Sequence, residues 1–218
     1  MRYLVPGIAA GALWLAACST GDAPPDANAT ADTLQTAAAP SPYLRGIAIR
    51  GDTPRFVRCG TTDTLRLVDA SGTMPARRAG DDVEAIFTIV TGSVSDDSAV
   101  TIDRVVYASA DRSQCYNDWS GFDYRATGNN PGWVAEVDGS SVHLRRQGDL
   151  NFWWSGVTKD STDGRLRFTA PASGDAGALE LVLEAEPCTD RTARTLSMWS
   201  ARLRVGSDEL RGCAVPGR

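Results

Sequence analysis

One histidine and five cysteines bound the chemistry open to this chain of 218 residues. His143 stands between Val142 and Leu144 in an alternating stretch, so it is expected on the solvent face of a strand. A Ser-His-Asp arrangement would have to use it, and no Gly-x-Ser-x-Gly elbow is present. Phosphate loops and dinucleotide fingerprints are absent. Carboxylates abound, but none of their positions singles out a glycosidase pair. Without Cys-x-x-Cys, and with a lone histidine, neither a thioredoxin-like redox site nor a zinc site is expected. Gly80-Asp81-Asp82 and Ser95-Asp96-Asp97-Ser98 lack the ordered ligands and downstream Glu of a calcium loop and read as solvated turns. The expectation is a protein with no catalytic residues, no metal and no cofactor.

Aromatic side chains offer recognition instead. Phe152, Trp153 and Trp154 are consecutive. Neighbours on a strand point to opposite faces, so Phe152 and Trp154 can share an interior while Trp153 points away from it. Trp153 then either covers one side of the fold or stands exposed on a ligand or partner surface, where tryptophan is enriched. Trp119 is the second candidate for such a surface; lying near a change of pattern, it could instead pack between two halves. Trp133 and Trp199 are expected in the core.

Cys18 is set apart from the other cysteines by what precedes it. Arg2 is followed by an apolar run too short to span a bilayer, which ends in Leu15-Ala16-Ala17-Cys18. This resembles a bacterial lipoprotein signal, and the resemblance implies cleavage before Cys18 and acylation of that cysteine. A plain secretory signal and an uncleaved anchor are the alternatives. Residues 19–41 are rich in Ala, Thr, Pro and Asp and nearly free of bulky side chains. Such a stretch cannot bury enough apolar surface to offset its ordering entropy, and reads as a tether. By analogy with Gram-negative lipoproteins, Ser19 in place of Asp after the acylated cysteine points to the periplasmic side of the outer membrane.

The remaining cysteines, Cys59, Cys115, Cys188 and Cys213, are even in number, as suits an oxidising compartment. Four cysteines allow three connectivities. Sequence neighbourhood favours Cys59–Cys115 and Cys188–Cys213. Loss of residues 1–17 removes only Arg2, leaving 21 basic and 27 acidic residues and a net charge of −6. A mildly acidic body without a basic cluster argues against nucleic acid as partner.

The elements that must position these groups are strands. Leu166, Phe168 and Ala170, then Leu179, Leu181 and Leu183, then Trp199, Ala201, Leu203 and Val205 alternate with mostly polar neighbours. Turn chemistry separates them at Gly128–Gly132, Asp138-Gly139, Asp163-Gly164 and Gly206–Asp208. In the first half, strands are expected at 44–50, 55–59, 64–68, 83–90 and 100–108, with an irregular loop over 70–82. No long helix is expected, and 189–196 could hold one helical turn. The reading is all-β: two small antiparallel β domains, the C-terminal one a small barrel. The boundaries are a signal peptide at 1–17, lipidated Cys18 and tether at 18–41, an OB-like or sandwich domain at 42–117, and the barrel at 118–218.

Ala126-Thr127-Gly128-Asn129-Asn130-Pro131-Gly132-Trp133 resembles the G-N-E-P-x-W opening of a family of small bacterial envelope lipoproteins, related in style to META/HslJ-type and NlpE-type β-barrel domains. Cys188-Thr189-Asp190 and Gly212-Cys213-Ala214 resemble its closing segment. Asn130 replaces the family's acidic residue, and Ser197-Met198-Trp199 stands where Met-Ser-Gly is expected. Phe56–Thr61 resembles an F-x-x-C-x-T strand end of companion domains. The resemblance implies a β-barrel and an envelope location, and no agreed activity. The function expected is a membrane-anchored, non-catalytic binding, sensing or structural module, with an envelope protein, lipid or glycan as ligand. The alternatives are a proteinaceous lysozyme inhibitor and, behind it, an envelope enzyme.

Overall fold

The computed structural model describes residues 42–72, 83–96, 98–148 and 150–218. Residues 1–41, with the signal, Cys18 and the tether, lie outside the described residues, as does most of the 70–82 loop. The described chain is all-β and builds two sheets within one compact unit, Pro40–Arg218.

Five strands of the first half close on themselves. They are β1 (Leu44–Ile49), β2 (Arg55–Arg58), β3 (Thr64–Asp69), β4 (Ala85–Ser95) and β5 (Ala99–Ser109). The hydrogen-bonded circuit runs β1-β2-β3-β5-β4 and returns to β1, with β3 and β5 parallel and every other pair antiparallel. This is the connectivity of an OB-type five-stranded barrel. A barrel this narrow is filled by side chains, here Phe56, Leu67, Ile86, Val90, Val100 and Ile102 among others. Gly46 makes room for them: a Cβ there would overlap the ring of Phe56. β4 and β5 are 11 residues each. Register shifts at Ile89/Val90 and Thr91/Gly92 bend this long ladder.

The second sheet has nine strands and curls without closing. In chain order they are β6 (Tyr124–Asn129), β7 (Gly132–Asp138), β8 (Ser141–Arg146), β9 (Leu150–Ser155), β10 (Thr158–Thr162), β11 (Arg165–Ala170), β12 (Leu179–Glu184), β15 (Trp199–Val205) and β16 (Asp208–Pro216). Its strand order is β10-β11-β12-β15-β16-β6-β7-β8-β9. The alternation read from sequence sets the faces. Trp133, Leu144, Trp154, Phe168, Leu181, Leu183 and Leu203 fill the concave side. The interior is therefore packed, and the fully closed barrel is the N-terminal one. Trp154 also ties down the loop before β12, donating from Nε1 to the carbonyl of Gly177 at 3.2 Å.

The expected helical turn at 189–196 is instead a β-hairpin, of β13 (Cys188–Asp190) and β14 (Thr195–Ser197). Asp190 accepts the N–H of Ala193 at 2.9 Å, and Arg194 takes a positive φ of 51°. That Asx-type turn reverses the chain where a helix would have carried on. β14 pairs with β5 at Ser109, Ala108 and Tyr107, so this late segment extends the first sheet. Phe87, Ile89, Val106, Trp119, Phe122 and Val215 form a further core cluster with members from both sheets. Trp119 stacks on Phe87 at 5.6 Å between ring centroids and tilts against Phe122 at 5.8 Å. The structure pairs Cys59 with Cys115 and Cys188 with Cys213.

Candidate functional site

β5 pairs with β4 along its length but runs well past its other barrel partner, β3. Ala99–Ile102 pair with β3, and the strand then runs on so that Tyr107–Ser109 pair with β14. That overshoot forms one wall of a cleft of about 830 Å³, lined from both sheets and from the hairpin. The volume lies in the range of small-molecule sites.

A 3-10 turn, Arg112–Tyr116, builds the end of the first wall. Asp111 caps it, accepting from the Ser113 N–H at 3.0 Å, the Ser113 hydroxyl at 2.7 Å and the Gln114 amide at 3.1 Å. Asn117 donates to the Gln114 side chain at 2.9 Å, and Trp119 Nε1 to the Gln114 carbonyl at 2.8 Å. The opposite wall is the outer face of β6, β7 and β8, where Arg125, Thr127, Asn129, Val134, Arg145 and Gln147 reach the cleft. The side chain of Asn129 donates to Asp190, linking this wall to the hairpin. Ser197, fully buried, donates to the carbonyl of Ala214 and fixes the hairpin's other end.

Most of the charge in the cleft is internally spent. Arg125 holds Glu136 at 2.7 Å and lies over the rings of Phe122 and Trp119, at 4.2 and 5.5 Å from their centroids. Arg145 shares the same Glu136 oxygen at 3.3 Å, and Arg146 pairs with Asp208 at 2.9 Å. Hydrogen bonds from the Ser113 hydroxyl, then the Gln114 amide, hold the Asp111 carboxyl below its ordinary pKa. Burial pushes the Tyr107 phenol up, against the opposing hydrogen bond with Ser109. Both groups are moved away from neutrality, the reverse of what general acid–base catalysis near pH 7 needs. The indole of Trp133 is buried behind the wall, with no hydrogen-bond partner for Nε1 among the described residues. Its ring lies so close to Gly128 that a Cβ there would overlap Nε1.

Of the residues singled out from sequence, Trp119 lines this cleft but is only 7% exposed. Trp153 is 56% exposed on the outer face of β9, its ring 5.2 Å from that of His143. Phe152 and Trp154 turn to the packed side. Cys213 lines the cleft, while Cys59 and Cys115 pack against the core cluster between the sheets. Among the described residues no His, Cys, Asp and Glu side chains group as a metal site, and no helix is long and apolar enough to cross a membrane. Sequence reasoning missed Asp111, Gln114, Asn117, Arg125, Arg145 and Asp190. Asp111, two residues before Ser113, and Asp190, which caps its own turn and ends the Cys188-Thr189-Asp190 segment, carried local signals; the others come from separate elements.

Fold and cleft define a two-sheet β protein with a groove of mixed polar and apolar lining between an OB-type barrel and a curled sheet. No family model, curated protein or solved structure matches the chain.

Proposed function

We propose that this chain is a lipid-anchored module of the cell envelope that binds a ligand in the cleft without transforming it, facing the periplasm from the outer membrane. The observation that carries the binding reading is the cleft itself. Its walls come from two sheets fixed together by a common core and a cystine-held hairpin, a preorganised concave surface that ligand binding favours. Charges paired with each other, and titratable groups displaced from neutrality, support binding over proton transfer. The location rests on Leu15-Ala16-Ala17-Cys18 and the tether, and two disulfides suit an oxidising compartment. A triacylated Cys18 would supply the multiple chains that stable anchoring requires.

Two measurements test the two parts. Labelling cells with a fatty-acid analogue should mark the chain, and Cys18→Ser should abolish both the label and membrane fractionation; a label that survives the substitution overturns the anchor. For binding, amide spectra of the mature chain in detergent should shift at cleft residues when lipid or glycan fractions of the envelope are added. Spectra unchanged at the cleft with every fraction overturn the binding reading.

A further inference from the structure

Antiparallel register extends the cleft wall outward across the second sheet. Arg125 lies opposite Glu136, Glu136 opposite His143, and His143 opposite Trp153. One row along, Thr127, Val134, Arg145 and Asn151 lie opposite one another in turn. Each row begins in the cleft and ends on β9. The exposed indole of Trp153 thus stands on the same face as the cleft wall, one row from Arg145. Directly opposed side chains sit at roughly 5 Å from one another, so the cleft and the indole form one unbroken strip.

The chemistry of the strip selects among ligand classes. An anionic ligand is held best by unpaired guanidinium groups; here Arg125 and Arg145 share Glu136 and Arg146 holds Asp208, so much of their charge is already matched. An acyl chain needs a continuous apolar wall, whereas the lining of this cleft is mixed, its apolar surface interrupted by Gln114, Asn117, Asn129 and Gln147. Gln114 bonds Asp111 and Asn117, and Asn129 bonds Asp190, but each of these amides keeps a second N–H and a spare lone pair, and groups that both donate and accept match the hydroxyl groups of a sugar. A pyranose also has an apolar C–H face, which a flat indole with an open side can cover.

We infer that the cleft and the outer face of β6–β9 form one extended site for an uncharged oligosaccharide, with Trp153 as the stacking platform and the cleft amides as hydroxyl ligands. This rests on the binding reading above and names the ligand class for that site.

The test uses the mature chain and defined probes. Cellotetraose, maltotetraose and tetra-N-acetylchitotetraose are the neutral saccharides; inorganic phosphate and phosphatidylglycerol vesicles are the anionic and lipid controls. Amide shifts and calorimetry should find at least one tetrasaccharide bound, with shifts at both the cleft and β9. Trp153→Ala should weaken that binding by about tenfold, the size of one lost aromatic contact, and Trp153→Phe should restore part of it. Melting temperature should stay near that of the parent, because the side chain is exposed. Asn117→Ala should weaken the same saccharide without abolishing the β9 shifts. Full affinity in Trp153→Ala overturns the inference. So does binding of phosphate or vesicles at the cleft with no response to any tetrasaccharide, an outcome that leaves the binding-module reading standing. Silence at the cleft toward all five probes overturns the saccharide assignment, and the envelope-fraction titration then decides the broader reading by itself.

Discussion

The two sheets bury their inner faces in different ways. The N-terminal five strands close through hydrogen bonds, a parallel β3–β5 pair completing the circuit. The nine-stranded sheet stays open and is filled instead: Trp154, Phe168 and Trp133 occupy the hollow of the curl. β9 and β10 remain its two ends, with no partner strand beyond them among the described residues. Closure by ladder leaves a strand free to overshoot, and β5 uses that freedom to reach β14 and wall the cleft. Packing without closure leaves a broad outer face, and that face supplies the other wall. The cleft exists because a closed sheet and an open one meet.

The largest effect expected is on the packed side. Trp154→Ala should cost about 3–5 kcal/mol in urea unfolding, the usual cost of deleting a large buried aromatic. In native-state hydrogen exchange it should loosen β8–β11 before β1–β3, while Phe56→Ala, in the barrel, should do the reverse. Uniform loosening of all strands by both variants would erase the distinction between the two sheets.

Next come the cystines, one for each region. In the chain-entropy picture, removal of Cys59–Cys115, with a separation of 56, should cost about 4 kcal/mol, and removal of Cys188–Cys213, with a separation of 25, about 3.5 kcal/mol. Only the second pair holds the hairpin to β16, so Cys188→Ser/Cys213→Ser should also raise exchange at Thr195–Ser197. Unchanged protection there would mean that the β5–β14 ladder, with the Ser197–Ala214 and Asn129–Asp190 bonds, holds the hairpin without the cystine.

A smaller contrast lies in the ends of the open sheet. All five residues of β10 are exposed. Their outward-facing amides should exchange faster than those of β1, which is paired on both sides. Equal protection would imply that the curl closes in solution.

The smallest effect is ionic. Arg218 bonds Asp123 at 2.8 Å and also Asp138. Burial works against ionisation of Asp123, but the Arg218 bond and the Gly139 N–H outweigh it, so its folded pKa lies below the ordinary one. A carboxylate depressed on folding stabilises the protein above its unfolded pKa of about 3.9, and that share is lost as pH falls through the folded value. Arg218→Ala should therefore cost less than about 1 kcal/mol at neutral pH, since the pair is partly exposed. The deficit should shrink in acid; a deficit that grows below pH 4 would contradict the assignment.

Much of the fold was legible because a strand writes its two faces into alternate residues. Leu179, Leu181 and Leu183 on β12 and Ala201 and Leu203 on β15 lie on the packed side as the pattern requires. Phe152 and Trp154 turn inward and Trp153 outward for the same reason. The 189–196 segment misled because three-residue strands are too short to show a period, and its turn is made by a single aspartate. The cleft was not legible. Its Asp111 and Gln114 follow β5, Arg125 and Arg145 lie on β6 and β8, and Asp190 comes from the hairpin.

By itself the amino-acid sequence determined an all-β chain, the strands β8, β9, β11, β12 and β15 of the second sheet with the faces of their side chains, and the cystine partners favoured by neighbourhood. These are local properties: a residue's face depends on its immediate neighbours, and a short loop closes with the smallest loss of entropy. Tertiary structure alone decided which half closes into a barrel, that a late hairpin joins the early sheet, and that amides from distant segments converge beside an exposed indole. Those outcomes depend on strand registers between segments far apart in the chain, and no local pattern encodes which edge a strand will meet.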